Sequence, residues 1–204
     1  MGNSAIILAG GLSTRFGQDK GLIPLANKPL IKYVLEAAGQ TVDEIVVVVN
    51  SKAQADKFSR VLGSAAKILM DVFDNRGPLV GAATGFREVS GEYTLLLPCD
   101  TPLVSKEVLQ LLLDLCVNKN AVVPRWPNGY IEPLHASYRV KPALEAAENT
   151  LREGKRDMRS MIEKLKGVRY VSTLVLQQFD AELKFFVNVN TPLDLKKVEH
   201  MLKR

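Results

Sequence analysis

Cysteine is scarce in this sequence: Cys99 and Cys116 are the only two in 204 residues. Two thiols supply neither a disulfide framework nor the spacing of a metal site, so both read as buried structural thiols. Long hydrophobic runs are missing as well. No apolar stretch approaches the roughly 20 residues that cross a bilayer, and the chain does not open on a cationic region followed by a signal-like apolar run. The expectation is a cytoplasmic protein without a membrane partner. No Pro-, Gly- or Ser-rich linker, charge block, internal repeat or low-complexity segment divides the chain. With 47% hydrophobic residues it reads as one domain, 1–204, built on one large core. The net charge of +5 is spread along the chain. Without a basic stripe interleaved with aromatics, nucleic acid is not the expected partner, whereas anionic small ligands are compatible. Two glycine fingerprints are also absent, the dinucleotide pattern Gly-x-Gly-x-x-Gly and the Walker pattern Gly-x-x-x-x-Gly-Lys-Ser/Thr.

In their place stands the stretch from Ala5 to Lys20, which reads Ala-Ile-Ile-Leu-Ala-Gly-Gly-Leu-Ser-Thr-Arg-Phe-Gly-Gln-Asp-Lys. The apolar run Ala5 to Leu8 lacks polar alternation and suits a strand buried on both faces. Ala9, Gly10 and Gly11 then let the backbone turn without Cβ obstruction and leave room for a ligand. Successive N–H groups in such a turn form an anion-binding concavity, to which Arg15 adds a planar fork of donors and Lys20 a mobile point charge. That combination asks for a polyphosphate. A plain glycine turn with two solvated cations is the blander reading, and the co-occurrence of strand, glycines, Arg and Lys outweighs it.

The rest of the chain alternates strands and helices, an α/β pattern. Lys28-Pro29 opens a helix with Leu30, Ile31, Val34, Leu35 and Ala38 at helical spacing. Ile45 to Val49 is a strand ending at Asn50, which on spacing alone reads equally as a ligand contact beyond the strand end or as a capping residue. Lys67 to Met70 delivers Asp71 to the same edge, where an Asp is often a turn former. Asn75-Arg76-Gly77-Pro78-Leu79-Val80-Gly81 turns into a small-residue helix. Tyr93 to Pro98 is an apolar strand ending in Cys99-Asp100-Thr101-Pro102. A carboxylate there, facing a phosphate-carrying turn, is placed to hold Mg²⁺, which takes few carboxylates plus phosphates and water; the other reading of Asp100 is an Asx-turn. Lys106 to Asn118 reads as a helix with Val108, Leu111, Leu112 and Leu115 inward, and Ala121 to Pro124 as a strand. The loop Arg125 to Tyr130, with the only tryptophan, reads as a lid or acceptor-side loop against the safer prior of a surface hairpin. A helix spans about Pro142 to Leu151; Val168 to Ser172 and Leu174 to Phe179 read as peripheral strands or as a strand and a short helix. Phe185 to Asn190 reads as the last strand, with Asn188 and Asn190 on one face opposite Val187 and Val189, and Pro192 starts the final helix.

The opening stretch resembles the signature loop of nucleotidyltransferases, Leu-Ala-Gly-Gly-x-Ser-x-Arg-Met-Gly-x-Asp-Lys, with Phe16 in place of Met. The chain is most similar to the molybdenum cofactor guanylyltransferase (MobA-like) family. Further resemblances follow in the family's order: Asn27-Lys28-Pro29-Leu30 for Gly-Lys-Pro-Leu, Gly77-Pro78-Leu79-x-Gly81, Pro98-Cys99-Asp100-Thr101-Pro102, Pro133-Leu134-His135-Ala136, and Asn188-x-Asn190-Thr191-Pro192. The resemblance implies a three-layer α/β/α sandwich with a mostly parallel, Rossmann-like sheet of the nucleotide-diphospho-sugar transferase type. It implies transfer of GMP from GTP to the terminal phosphate of molybdopterin, with pyrophosphate released. Leu8, Ala9, Gly10, Gly11, Lys20, Asn50, Asp71 and Asp100 would bind the nucleotide. Arg15, Lys20 and Asp100 would be catalytic, with Asp100 on Mg²⁺, and Asn188 and Asn190 would meet the acceptor. His135 reads as structural. Transient contacts with other cofactor-synthesis proteins or acceptor molybdoenzymes belong to the same expectation. The alternatives are a sister transferase using CTP, disfavoured by Gly10 where cytidylyl enzymes carry Ala, or one using another phosphorylated acceptor. A nucleotide binder without turnover and a nicotinamide dehydrogenase are further ones.

Overall fold

A seven-stranded sheet forms the centre of the computed structural model, which describes residues 2–13, 16–71 and 77–203. In chain order the strands are β1 (Asn3–Leu8), β2 (Glu44–Val49), β3 (Lys67–Met70), β4 (Tyr93–Pro98), β5 (Ala121–Arg125), β6 (Ala136–Arg139) and β7 (Val168–Ser172). Across the sheet the order is β7-β5-β6-β4-β1-β2-β3. β6 runs antiparallel to both neighbours, and every other pairing is parallel. The helices are α1 (Leu30–Ala38), α2 (Lys52–Leu62), α3 (Pro78–Glu88), α4 (Lys106–Cys116), α5 (Val140–Arg152), α6 (Met158–Lys164), α7 (Thr173–Leu176) and α8 (Pro192–Leu202).

The apolar runs of β1, β2 and β4 are explained by cover on both faces, as parallel sheets require. Ala5, Ile7, Val47 and Leu97 face α1, α2 and α4 through Ile31, Val34, Phe58 and Leu112. On the opposite face Ile6, Val46 and Leu96 meet α3, α5 and α6 through Leu79, Phe86, Ala147 and Met161. Each fully buried Ile, Val or Leu here contributes about 1.5–3 kcal/mol. The small residues of α3 let it lie close on the sheet, since a Cβ at Gly85 would strike Ile6. A third cluster, Ile23, Leu25, Leu30, Val189 and Val198, packs α8 against the segment that follows the first turn. The three layers and mostly parallel sheet are those expected.

Four details differ from the sequence reading. Pro29 is the N-cap of α1 rather than an early helical residue, and Lys28–Pro29 pairs with Pro24–Leu25 across a tight turn with Asn27 at φ 66°. α4 ends at Cys116, with Asn118 beyond it at a left-handed φ of 61°, and its buried arc is Val108, Leu109, Leu112, Leu113 and Cys116, whereas Leu111 and Leu115, expected inward, are only half-buried. Helices α2 and α6 and strand β6 stand where no element was assigned. Finally, residues 185–190 are not a strand. Lys184–Phe186 forms a 3₁₀ turn, and the extended residues beyond it touch the sheet edge through one backbone bond, Val189 N–H to Asp100 C=O at 2.9 Å. The alternation is nonetheless real, with Val189 buried and Asn188 and Asn190 exposed.

Candidate active site at the carboxyl edge of the sheet

Parallel strands carry their ligands beyond their carboxyl ends, and a cleft of about 600 Å³ opens there, between the loops that follow β1, β2 and β4. Leu8, Gly10, Gly11 and Lys20 line it from the first turn, Asn50 from the end of β2, and Asp100 from the end of β4. Six of the residues singled out in the sequence therefore converge. Lys20 is the centre of the arrangement. Its ammonium donates both to Asp100 Oδ2 and, at 2.5 Å, to Asn190 Oδ1, tying together residues 80 and 170 positions away. Asp100 is 8% exposed. The backbone carries the same tie, because Val189 N–H is bonded to the Asp100 carbonyl.

Gly10 and Asn50 form the opposite wall. Asn50 Nδ2 donates to Gly10 C=O at 2.7 Å, and a Cβ at Gly10 would land on the Asn50 amide. This settles Asn50 as part of the wall rather than a cap; the cap of α2 is Ser51, which accepts from Gln54 N–H at 3.2 Å. Gln54 was not foreseen. Its Oε1 accepts from Asn50 N–H at 2.9 Å and its Nε2 donates to Asp19 Oδ1 at 2.8 Å. Lys57 reaches the other Asp19 oxygen at 2.8 Å. Burial at 1% exposure opposes ionisation of Asp19, but the hydrogen bonds from Lys57 and Gln54 and the Lys57 charge outweigh it and hold the carboxyl below its ordinary range. The carboxylate immediately ahead of Lys20 is thus pinned to α2. The Ser51-x-x-Gln54 spacing of a capping box was the available signal.

Other residues fall less centrally. Ala9 is fully buried, and its N–H donates to Val48 C=O at 2.8 Å, so it serves as a spacer. Asp71 lies behind Gly81, which lines the cleft, and accepts from Thr84 at 3.0 Å. Gly77 and Pro78 bring the N-terminus of α3 to the rim, adding its positive dipole end to the Lys20 charge. Asn188 is exposed and turned back on the Phe186 carbonyl at 3.4 Å rather than onto Lys20. Arg15, Asn75 and Arg76 lie outside the described residues. Cys99 lines the cleft, but burial pushes its thiol up, so it is neutral and no nucleophile. His135 is 3% exposed, and neither of its ring nitrogens has a hydrogen-bond partner among the described residues. Burial lowers it to about 3, a neutral ring packed against Phe185 and Phe186 as the structural reading expects. The described residues contain no cluster of three or more His, Cys, Asp or Glu able to cage a metal by themselves, and no helix among them is long and apolar enough to cross a membrane.

A mostly parallel sheet with a phosphate-suited cleft at its carboxyl edge defines an α/β protein of the nucleotide-diphospho-sugar transferase type. The chain shares that fold with the 2-C-methyl-D-erythritol 4-phosphate cytidylyltransferase of Thermus thermophilus (TM-score 0.74, 19% identity, all of both chains covered). Within that type the chain belongs to the family of the MobA-like NTP transferase domain, whose sequence model matches residues 5–168. It is 32% identical over 200 residues to a probable molybdenum cofactor guanylyltransferase of Methanosarcina mazei, covering 96% of this chain and 89% of that one. A protein of the same description from Methanothermobacter thermautotrophicus is 34% identical, with 95% and 98% covered. The crystal structure of molybdopterin-guanine dinucleotide biosynthesis protein A from Archaeoglobus fulgidus superposes with a TM-score of 0.83 at 30% identity over 98% of both chains.

Proposed function

We propose that the protein transfers GMP from GTP to the terminal phosphate of molybdopterin, forming the guanine dinucleotide and pyrophosphate. The observation that carries this reading is the Lys20 ammonium held between Asp100 and Asn190 at the mouth of a glycine-walled cleft. A phosphate oxygen entering there exchanges one anionic partner of Lys20 for another. The backbone of Gly10 and Gly11 accepts the triphosphate closely because no side chain intervenes. The guanine edge presents two N–H donors, and the Asp71 carboxylate, an acceptor that lies behind Gly81 at the end of β3, is the group assigned to receive them. The donor set fits Mg²⁺ arriving with the nucleotide: one carboxylate on Asp100, an amide oxygen on Asn190, and no protein cage among the described residues, as Mg²⁺ shared with phosphates requires. When bound, the ion would neutralise phosphate charge.

In the reaction a terminal phosphate oxygen of molybdopterin attacks the α-phosphorus of GTP. The bond from that phosphorus to the β-bridging oxygen breaks, and pyrophosphate takes the electron pair. Lys20 stays on the phosphates as negative charge moves to the leaving group, and Asn190 keeps the lysine oriented. No group of the chain is acylated or phosphorylated. The test is pyrophosphate release with Mg²⁺ and molybdopterin, offering GTP, CTP and ATP separately. Release is expected with GTP alone, coupled to a guanylylated pterin. Asp100→Ala should lower turnover about 10³-fold while far-UV circular dichroism is unchanged; a folded variant with near-normal turnover removes Asp100 from the mechanism.

A further inference from the structure

The carboxyl edge of the sheet carries a second concavity, beyond the nucleotide cleft and on the other side of Asp100. β5 and β7 are parallel, with Pro124 opposite Val171 and Arg125 opposite Ser172. β5 also runs in the direction of β4, since β6 is antiparallel to both. Arg125 and Ser172 therefore end at the same edge as Asp100, two and three strands away, roughly 10–14 Å at the usual strand spacing. The concavity between them measures about 390 Å³ and is lined by Arg125, Trp126, Pro127, Gly129, Tyr170 and Ser172. Its lining holds a guanidinium and two aromatic rings and no carboxylate.

These groups are arranged as flat surfaces. The Arg125 guanidinium lies over the Tyr170 ring, 5.0 Å from its centroid, and Tyr170 is 41% exposed. Trp126 is fixed in place. Its Nε1 donates to Glu132 at 2.8 Å, its ring packs at 5.5 Å on Phe186, and the hairpin is closed by Trp126 N–H to Tyr130 C=O at 2.8 Å and Gly129 N–H to Trp126 C=O at 2.9 Å. Phe186 in turn closes the 3₁₀ turn that leads into the extended run whose Val189 bonds Asp100 and whose Asn190 bonds Lys20. A rigid path thus leads from the aromatic surface, past the exposed Asn188, to the lysine. A phosphate would use the Arg125 guanidinium but neither aromatic ring of such a surface. A fused, planar heterocycle with ring carbonyl and nitrogen acceptors gains stacking from Tyr170 and Trp126 and hydrogen bonds from Arg125.

We propose that Arg125, Trp126 and Tyr170 form the platform on which the planar ring of the acceptor, a pterin, stacks, while its phosphate reaches Lys20. The proposal rests on the guanylyl-transfer reading above. It makes the hairpin at 125–130 a specificity determinant rather than a plain surface turn. Trp126 is the only tryptophan in the chain, so its emission reports on the platform directly. Molybdenum-free molybdopterin titrated into the full chain should quench that emission saturably, and GTP alone should leave it unchanged. Tyr170→Ala and Arg125→Gln, with far-UV circular dichroism as the folding control, should each raise the KM for molybdopterin about tenfold and leave the Kd for GTP within twofold. If the wild type guanylylates molybdopterin while both variants keep its KM, the platform is wrong and the transfer reading stands. Quenching by GTP equal to that by the pterin would place guanine on the platform and overturn the proposal. If GTP binds but the pterin produces neither quenching nor pyrophosphate, the acceptor is misassigned and the platform falls with it.

Discussion

Single positions show how little room the cleft leaves. The resemblance of the first turn to guanylyl rather than cytidylyl enzymes rests in sequence on Gly10, and the structure supplies a physical reason for a glycine there, because any Cβ would occupy the place of the Asn50 amide. Gly10→Ala should push Asn50 off its bond to the Gly10 carbonyl and weaken GTP binding about tenfold, the equivalent of one hydrogen bond of roughly 1.4 kcal/mol; calorimetric titration checks this, and an unchanged Kd removes the Gly10–Asn50 wall from recognition. His135 gives a pH dependence whose sign follows from its burial. Its folded-state pKa is depressed from 6.5 to about 3, so the unfolded chain binds the proton first. Stability is fully present above pH 6.5 and falls as the pH drops towards 3, by about 1.4 kcal/mol per unit. Asp19 is also depressed, from 3.8, and acts only below that value. Glu132, raised by burial against the hydrogen bond from Trp126, works in the opposite sense but is common to wild type and variant. His135→Leu, which replaces two unpartnered nitrogens with an apolar side chain, should therefore flatten the decline between pH 6.5 and 5 in urea unfolding. Parallel curves for the two proteins would show that the imidazole is hydrated after all.

Elements were legible where hydrophobic periodicity and pairing coincide, and misread where they part. Lys67–Met70 and Tyr93–Pro98 match their expected bounds because continuous apolar runs between turn residues leave one solution. Residues 185–190 alternate like a strand, yet alternation reports only that every second side chain is buried. Here Val189 is buried and Val187 half-buried against the segment after the first turn and α8, without a ladder of backbone bonds among the described residues. α2 was missed because its buried face is Gln54, Phe58 and Leu62 on an otherwise polar helix, a weak apolar stripe. The stretch leading into α8 is held by a reciprocal capping box, Thr191 Oγ1 with Asp194 N–H at 3.1 Å and Asp194 with Thr191 N–H at 2.9 Å, and Asp194 also accepts from Asn190 N–H at 3.1 Å. Thr191→Ala should cost about 1 kcal/mol of stability, measured by urea unfolding at pH 7; a loss below a few tenths would mean that the packing of Val198, not the cap, holds α8.

At the scale of the whole molecule, both faces of the sheet and the α8 cluster share the same strands and loops, so no part buries its apolar surface alone. We expect one cooperative transition, with Trp126 emission and far-UV circular dichroism giving coincident urea curves; separated midpoints would divide the 204 residues into more than one folding unit. The sequence by itself determined the α/β class, the buried strands, the glycine-bearing first turn and the residues at each strand end, because backbone propensity, burial and glycine geometry are local. It also carried the family, since the motifs recur in order along the chain. What only the tertiary structure decided is which of those residues meet. Lys20 binds Asp100 and Asn190, while Asn188, two residues from Asn190, turns away. Asp19 is held by Gln54 and Lys57 of a helix the sequence hardly announces. Such contacts depend on the order of strands across the sheet, and that order is set by how the two helical layers pack as a whole, which no local stretch encodes.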